Sequence, residues 1–281
     1  MTSLFLMLSC WPLGALHALG AALGWLVFLA SPTYRRRFRD HAAQAGYRFA
    51  QVRAAVAHAG RLVAELPRLW FGRPVPVRWD GAEHIEAALA QARGLIFLTP
   101  HLGCFEVTAQ AYAARFAPAH GPITVLFRPS RQAALREVVA RSRAREGLAA
   151  APATLAGVKQ LLKALRAGHA VGLLPDQVPP QGLGVWAPFF GRPAYTMTLA
   201  ARLARQSGAA LLLAWGERLP HAAGFVVHVQ PFERPLSEDA TEAATQINAA
   251  METLIRRCPE QYLWAYARYK TPREELHHDD A

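Results

Sequence analysis

Short apolar runs alternate with helix-patterned segments through most of this chain, and this alternation constrains the fold more than any other feature. The runs are bounded by glycine, proline or polar residues, as buried strands are. The predicted strands lie at residues 94–99, 122–127, 169–175, 209–216 and 224–230. The predicted helices lie near residues 103–116, 132–146, 155–167, 196–207 and 239–257. The alternation predicts an α/β fold with a mostly parallel central sheet flanked by helices.

The N-terminus has a different character. Residues 1–34 contain no charged side chain, and residues 4–30 are almost wholly apolar. As a helix this run would be roughly 40 Å long, enough to cross a bilayer core of about 30 Å. The basic residues that follow it are Arg35, Arg36, Arg37 and Arg39. A secretory signal carries its positive charge before the apolar run instead.

Residues 1–34 are therefore predicted to form a membrane-anchoring helix, which either spans the bilayer or lies in one leaflet. The arginines after it would hold the rest of the chain on the cytoplasmic side. A buried core helix is the alternative. No repeat or low-complexity linker follows, so residues 35–281 are predicted to form a single α/β domain.

Residues 97–109, FLTPHLGCFEVTA, place a histidine between a strand and a helix. His101 and Glu106 would point about 140° apart within one helix, so they meet only if His101 lies in the loop and Glu106 in the first helical turns. A carboxylate against one imidazole nitrogen fixes the tautomer and leaves the other nitrogen to act as a general base. A structural histidine is the alternative.

Other reaction types lack their signatures. The sequence has no GxSxG nucleophile elbow and no HExxH, so neither a nucleophilic serine nor zinc is indicated. The three cysteines, Cys10, Cys104 and Cys258, are far apart and form no CxxC pair, which argues against a disulfide framework. Cys104 lies in the same segment as His101 and is a candidate nucleophile, but a lone cysteine is typically a small buried hydrophobe. We predict no metal and no cofactor.

The formal net charge is +11. Such a surface favours anionic partners, namely a phospholipid leaflet, an acidic protein or a phosphorylated substrate. A solvated basic face is the alternative. The basic residues are scattered and no RNA-binding motif or DNA-reading helix is recognisable, so nucleic acid is not a predicted partner.

Four segments carry a family resemblance. They are TPHLGCFEV, VLFRPSRQ, LLPDQVPPQGLGVWAPFFGRPAYT and CPEQYLWAYARYK, in this order. With the apolar N-terminus they resemble the late lipid A acyltransferases, the lauroyl/myristoyl group within the lysophospholipid acyltransferase-like superfamily, over roughly residues 5–272. The resemblance implies a bacterial inner-membrane enzyme with its active site on the cytoplasmic face. It would transfer a fatty acyl chain from acyl carrier protein to a hydroxyl of a lipid A precursor, at an anionic leaflet.

The resemblance also assigns catalytic residues. His101 would be the general base and Glu106 the carboxylate that orients and charges it. Arg128, and Arg143 from an Arg-x3-Gly pattern, would stabilise the oxyanion of the tetrahedral intermediate or hold a sugar phosphate.

Two alternatives remain open for these arginines. Arg141 and Arg145 are near neighbours of Arg143 and are easily confused with it. Either predicted arginine could also be a surface cation paired with Glu137 or Glu146.

Further residues are implied as substrate contacts. Asp176 and Gln177 match an Asp-Gln pair after a strand, where Asp176 would orient an arginine or a substrate amide; a turn-capping aspartate is the alternative. Phe189 and Phe190 would line the acyl chain, or else belong to the core. Near the C-terminus, cations would lie close to phosphates at the membrane interface, or within a packed terminal helix. These are Arg268 and Lys270, beside Trp264.

Two other functions remain open. The first is acyl transfer to another membrane lipid, such as a lysophospholipid, a glycolipid or an aminoacyl lipid. The second is a catalytically dead, membrane-bound binding protein. The glycerol-3-phosphate-type relatives usually show aspartate after the histidine, so Glu106 favours the lipid A acceptor over the first alternative, while the intact His101–Glu106 pair argues against the second.

Overall fold

The computed structural model describes residues 2–127 and 145–273. Its helices within these ranges are α1 (Thr2–Ser9), α2 (Leu13–Ala30), α3 (Pro32–Gln44), α4 (Phe49–Val52), α5 (Ala54–Phe71), α6 (Ala82–Leu89), α7 (Phe105–Arg115), α8 (Ala117–His120), α9 (Leu155–Arg166), α10 (Leu199–Ser207) and α11 (Ala240–Arg257). Short 3-10 turns cover Pro220–Ala222 and Pro259–Gln261. The strands are β1 (Val77–Asp80), β2 (Leu95–Leu98), β3 (Ile123–Phe127), β4 (Leu148–Pro152), β5 (Ala170–Leu173), β6 (Gly184–Phe189), β7 (Arg192–Met197), β8 (Ala210–Arg218) and β9 (Phe225–Pro231).

A seven-stranded sheet in the order β1-β9-β8-β2-β5-β3-β4 forms the centre of the molecule. The strands from β8 to β4 are mutually parallel, whereas β9 pairs antiparallel with β8 and carries β1 parallel beside it. Every residue of β2 and β5 is buried, because helices cover both faces of the sheet. The predicted α/β fold with a mostly parallel sheet is confirmed.

All five predicted strands are present as β2, β3, β5, β8 and β9. Sequence analysis missed β1 and β4 because neither is a run of β-branched and aromatic residues: their sequences are VRWD and LAAAP. It also missed α6 and the antiparallel β6–β7 hairpin. The helix predicted near residues 132–146 lies mostly outside the described residues.

The sheet register brings two strand ends together. Leu98 of β2 pairs with Leu173 of β5, and it also pairs with Leu213 of β8 on the other side. His101 follows Leu98 by the same number of residues as Asp176 follows Leu173. Because adjacent parallel strands lie about 4.8 Å apart, the two side chains emerge side by side at the carboxyl edge of the sheet.

The N-terminal helix α2 packs along α5. A Cβ on Gly60 would lie 1.9 Å from the Gly20 carbonyl oxygen, and one on Gly24 would lie 2.3 Å from the Val56 carbonyl oxygen. Glycine is therefore required for the two backbones to touch. Among the described helices, α2 alone is long and apolar enough to cross a membrane. The predicted apolar N-terminal helix is confirmed as α2, but residues 1–34 do not form one helix, because the chain breaks between α1 and α2 and again before α3. The role of this segment as an anchor separate from residues 35–281 stays a prediction.

Candidate active site

The loop between β2 and α7 is fixed by its backbone. Gly103 has a φ of +59°, and a Cβ there would lie 2.0 Å from the Gly216 carbonyl oxygen of β8. The next residue, Cys104, donates its amide to that same oxygen at 2.7 Å. Only glycine combines this left-handed conformation with so close an approach. The loop is therefore held against the sheet, and His101 with it.

Both imidazole nitrogens of His101 have partners on the segment after β5. Nδ1 lies 2.7 Å from Oδ1 of Asp176, and the His101 amide donates to Oδ2 at 2.8 Å. The Nε2 atom lies 2.9 Å from the side-chain amide nitrogen of Gln177. A carboxylate only accepts and a primary amide nitrogen only donates, so the network assigns the proton to Nδ1 and a lone pair to Nε2.

Asp176 is the carboxylate that contacts Nδ1 of His101 in the structure. Sequence analysis assigned that position to Glu106, and expected Asp176 to orient an arginine or an amide. In the structure Glu106 lies in the first turn of α7, where the Trp70 indole donates to its Oε2 at 3.3 Å. The difference arises because β5 is the neighbour of β2, a pairing that no local pattern reveals.

The two members of this pair differ in their exposure to solvent. Its side chain is 1% exposed, whereas that of His101 is 15% exposed. Burial alone would raise the pKa of Asp176. The attraction of the carboxylate to the protonated form of His101, and two hydrogen bonds from this residue, prevail, so the pKa lies below its ordinary value. The carboxylate is therefore ionised at neutral pH and is placed to stabilise an imidazolium if His101 takes up a second proton.

A buried ion pair lies behind the loop. Arg218, at the end of β8, donates to both carboxylate oxygens of Glu65 on α5 at 2.8 and 2.6 Å. The same guanidinium donates to the Gly103 carbonyl at 3.2 Å. Gln261 exchanges two hydrogen bonds of 3.0 Å with the Arg218 backbone, and its own carbonyl accepts from the Gly103 amide. The ion pair thus connects α5 to the loop that carries His101.

Sequence analysis missed this support. A single carboxylate within the apolar face of α5 was the available signal: Glu65 stands between Leu62 and Leu69 on that face and is fully buried. Burial raises its pKa, but the charge of Arg218 and hydrogen bonds from Arg218 and His17 outweigh burial and lower the pKa to about 2. His17 of α2 approaches at 2.8 Å, so the apolar helix joins the same network.

The predicted arginines can be placed only in part. Arg128, Arg141 and Arg143 lie outside the described residues. Arg145 is described: it donates to the Trp70 carbonyl at 2.6 Å and to the Gln110 side chain at 3.3 Å. Arg145 therefore supports the same tryptophan that contacts Glu106.

Phe189 and Phe190 lie at the turn of the β6–β7 hairpin and are buried, at 2% and 5% exposure. The cavity beside them measures only about 10 Å³. Both side chains are packed in the core here, as their alternative describes, and the acyl-lining role of Phe189 and Phe190 stays a prediction.

The predicted C-terminal cations differ from each other. Arg268 is 2% exposed and donates to the Tyr195 carbonyl, to the Thr196 hydroxyl and to Asn248, at 2.7, 2.6 and 3.2 Å. Arg268 is thus a structural cation, and the packed-terminus alternative describes it. Lys270 is exposed and lies 5.3 Å from the centre of the Tyr266 ring.

Two other chemistries have no support in the described part of the chain. Cys104 is fully buried, and burial raises the pKa of its thiol well above the ordinary value, so it is an inert core residue rather than a nucleophile. The described residues include no cluster of three or more histidine, cysteine, aspartate or glutamate side chains that could hold a metal ion.

Fold and site together define a class: an α/β protein whose histidine–carboxylate site lies at the carboxyl edge of a parallel sheet, where such proteins carry their active sites. Residues 3–271 match the family described as bacterial lipid A biosynthesis acyltransferase, and the chain belongs to this family. It is therefore an acyltransferase of lipid A biosynthesis, as the resemblance predicted.

Named relatives agree with this assignment. The chain is 29% identical to the lipid A biosynthesis palmitoleoyltransferase of Escherichia coli K12 over 217 residues, 75% of this chain and 69% of that protein. It is 30% identical to the lauroyltransferase of the same organism over 207 residues, 72% of this chain and 65% of that protein. A Haemophilus influenzae lipid A biosynthesis acyltransferase is 24% identical over 69% of this chain and 59% of its own length.

Proposed function

We propose that this protein transfers a fatty acyl chain from acyl carrier protein to a hydroxyl of a lipid A precursor, with His101 as the general base. The observation that carries the proposal is the partly exposed imidazole of His101, whose Nδ1 contacts the buried Asp176 carboxylate. Its Nε2 contacts the side-chain amide of Gln177, which the acceptor hydroxyl would replace. Membership of the family supports lipid A as the acceptor. Transfer to another membrane lipid is the alternative acceptor chemistry.

The proposed reaction proceeds without a covalent enzyme intermediate. The acceptor hydroxyl displaces the Gln177 amide from Nε2 of His101 and gives its proton to that nitrogen as its oxygen attacks the thioester carbonyl. Asp176 stabilises the resulting imidazolium. The tetrahedral intermediate then expels the carrier thiolate, which takes the proton back from His101. An ester and a free thiol are the products, so the step requires neither metal nor redox cofactor.

The remaining site residues are assigned by the same proposal. Arg128 and Arg143 would donate to the oxyanion or to an acceptor phosphate. Glu106 would act through Trp70 on the wall of the site rather than on Nδ1. Lys270, which is exposed near the C-terminus, would contact a phosphate of the acceptor. The net charge of +11 supports an acidic carrier protein and an anionic membrane surface as partners.

We further propose that the protein acts at the cytoplasmic face of the bacterial inner membrane, with α2 lying within one leaflet. The outward face of α2 is apolar and exposed at Leu19, Leu23, Leu26 and Val27. Its inward face packs on α5, which carries Glu65 of the buried Glu65–Arg218 pair. A spanning α2 would take that pair into the hydrocarbon or break the contact, and either is costly.

Labelling of Cys10 with a membrane-impermeant maleimide tests this arrangement. Cys10 is exposed just before α2, whereas Cys104 and Cys258 are buried. In one leaflet, Cys10 stays on the cytoplasmic side, so we expect labelling in inverted membrane vesicles and none in spheroplasts. Cys10→Ser removes the signal, and Thr33→Cys in that background marks the cytoplasmic end of α2. Labelling of Cys10 in spheroplasts would show instead that α2 spans the membrane.

Mass spectrometry of lipid A from cells with and without the gene tests the function. We expect deletion to remove one secondary acyl chain, because the proposed reaction adds one ester to the precursor. A plasmid copy should restore it. Unchanged lipid A together with a shift in another lipid pool would support the alternative acceptor. No change in any lipid would support the catalytically dead binding protein.

A further inference from the structure

A polar cavity lies beside α2, and Arg218 of the buried ion pair is part of its lining. Its volume is about 730 Å³, within the range of about 300–1,000 Å³ that holds small molecules. Its walls come from α2, from α5, from the end of β8 with the turn after it, and from the Pro259–Gln261 turn. Neither His101 nor Asp176 lines it. The charged or basic residues that line it include His58, Arg61, Glu217, Arg218 and Glu260.

One wall of this cavity has more hydrogen-bond donors than acceptors. Nδ1 of His58 lies 3.0 Å from Arg218 Nη1, and Nε2 lies 3.2 Å from Arg61 Nη1. Burial and these two guanidinium charges lower the pKa of His58 to about 3, so the ring is neutral and has a single acceptor nitrogen. Guanidinium groups only donate hydrogen bonds. The protonated nitrogen of the neutral His58 ring therefore faces an arginine donor instead of an acceptor.

Arg61 has a further unused donor. Its Nε is buried without a hydrogen-bond partner among the described residues. A buried donor without an acceptor costs free energy, and an anionic oxygen in the cavity would supply the acceptor. Phosphate oxygens are suited to this because they accept several hydrogen bonds from arginine at once.

Carboxylates on the cavity wall restrict the ligand further. Glu217 binds His228 at 2.8 Å, and Glu260 accepts from the Cys258 thiol at 3.3 Å. A simple anion would be repelled by both carboxylates. A ligand that also carries an ammonium group would pair with them, so the lining matches a phosphate joined to a protonated amine.

The position of the cavity beside the apolar face of α2 points to a lipid. Gly14 of α2 lines the cavity, while Leu19 on the same helix is exposed on the apolar face. Across the cavity, His221 and Ala222 have φ values of 54° and 55°, and consecutive non-glycine residues in this left-handed region store strain of the kind found at binding sites.

We propose that this cavity binds the phosphoethanolamine headgroup of a membrane phospholipid, whose acyl chains follow the apolar face of α2. Arg61 contacts the phosphate, and Glu217 and Glu260 contact the ammonium. The proposal rests on the membrane attachment proposed above but not on acyl transfer, since its readout is binding.

Native mass spectrometry of the full-length protein in detergent tests the proposal. The probe is an equimolar mixture of phosphatidylethanolamine, phosphatidylcholine and phosphatidylglycerol with identical chains. We expect phosphatidylethanolamine to be retained about tenfold over the others, because it alone combines a positive charge with N–H donors for the carboxylates. The choline headgroup has the charge without N–H donors, and the glycerol headgroup has hydroxyl donors without the charge. Equal retention of phosphatidylcholine would overturn the proposal. So would displacement by excess inorganic phosphate, which would identify a free-phosphate site.

Gly14 provides a matched pair of variants. A Cβ there lies 3.7 Å from the Cβ of Ala222, an ordinary contact, so Gly14→Ala should bind as the wild type does. Gly14→Leu extends further across the cavity and should remove selective retention, while a leucine is well tolerated in a helix. Vesicle flotation separates the two proposals: a Gly14→Leu protein that still floats has lost the headgroup site but not the anchor.

Arg61→Ala tests the phosphate contact directly. We expect retention of phosphatidylethanolamine to fall about tenfold, because a charge-assisted hydrogen bond is lost. Arg73→Ala removes the same charge from an exposed residue outside the cavity and should leave retention unchanged. Equal effects of the two variants would show a general charge effect and overturn the site.

Discussion

His101→Ala is expected to lower the rate of acyl transfer about a thousandfold, since general base catalysis typically contributes factors of about 10² to 10⁴. Without the imidazole, the acceptor hydroxyl has no group at Nε2 to take its proton. The measurement is ester formation by the purified full-length protein from acyl carrier protein thioester and a lipid A precursor. His120→Ala changes an exposed histidine at the end of α8 and should keep full activity. Full activity of His101→Ala would refute the mechanism.

The two carboxylates near this histidine can be separated in the same assay. Asp176→Asn should lower kcat about a hundredfold or more with little change in KM, because the imidazolium loses its stabilising charge while the acceptor still binds. Asp176→Glu should recover part of the loss. Glu106→Gln should cost less, since Asp176 already holds Nδ1. A larger loss for Glu106→Gln would return the orienting role to Glu106, as the sequence first indicated.

Arg218→Ala is expected to destabilise the fold by about 3–5 kcal/mol, the usual cost of leaving one charge of a buried pair without its partner. Glu65 would remain in a fully buried position with no guanidinium beside it. Denaturant unfolding of the protein in a mild detergent measures the difference. Arg115→Ala is the matched control, because it breaks an exposed ion pair. The side chains of Arg115 and its partner Glu86 are 45% and 56% exposed. We expect that change to cost less than about 1 kcal/mol.

Replacing both partners of the buried pair separates charge from packing. Glu65→Leu combined with Arg218→Met removes both charges and keeps apolar volume, so it should restore much of the stability that Arg218→Ala loses. The rate of acyl transfer by this double variant should nevertheless be lower than that of the wild type, because the hydrogen bond from Arg218 to the Gly103 carbonyl is lost. A double variant with wild-type activity would show that the pair does not position the loop.

The ion pair also predicts a pH dependence of stability. The pKa of Glu65 is lowered from 4.5 to about 2 in the folded protein, so its contribution is fully present above pH 4.5 and is lost as the pH falls towards 2. The difference in unfolding free energy between wild type and Glu65→Gln should therefore be constant from neutral pH down to about pH 5 and shrink below it. A difference that stays constant through this range would contradict the lowered pKa.

Sequence patterns were informative where the relevant forces are local. Apolar runs predicted β2, β3, β5, β8 and β9, most clearly for β2 and β5, because a strand buried on both faces needs apolar residues on both. The break at Pro100 placed His101 in a loop. The patterns failed at β1 and β4, whose residues resemble loops and which become strands only by pairing with β9 and β3.

The sequence by itself determined the fold class, the apolar N-terminal helix, and the positions of His101 and Asp176 after the ends of strands, since each follows from a short run of residues. Tertiary structure alone decided that β5 lies beside β2, with β3 and β4 outside it. That order, set by how the helices cover the sheet, makes Asp176 the partner of His101. It also buries Glu65 against Arg218 across 153 residues of chain, an interaction that no local pattern contains.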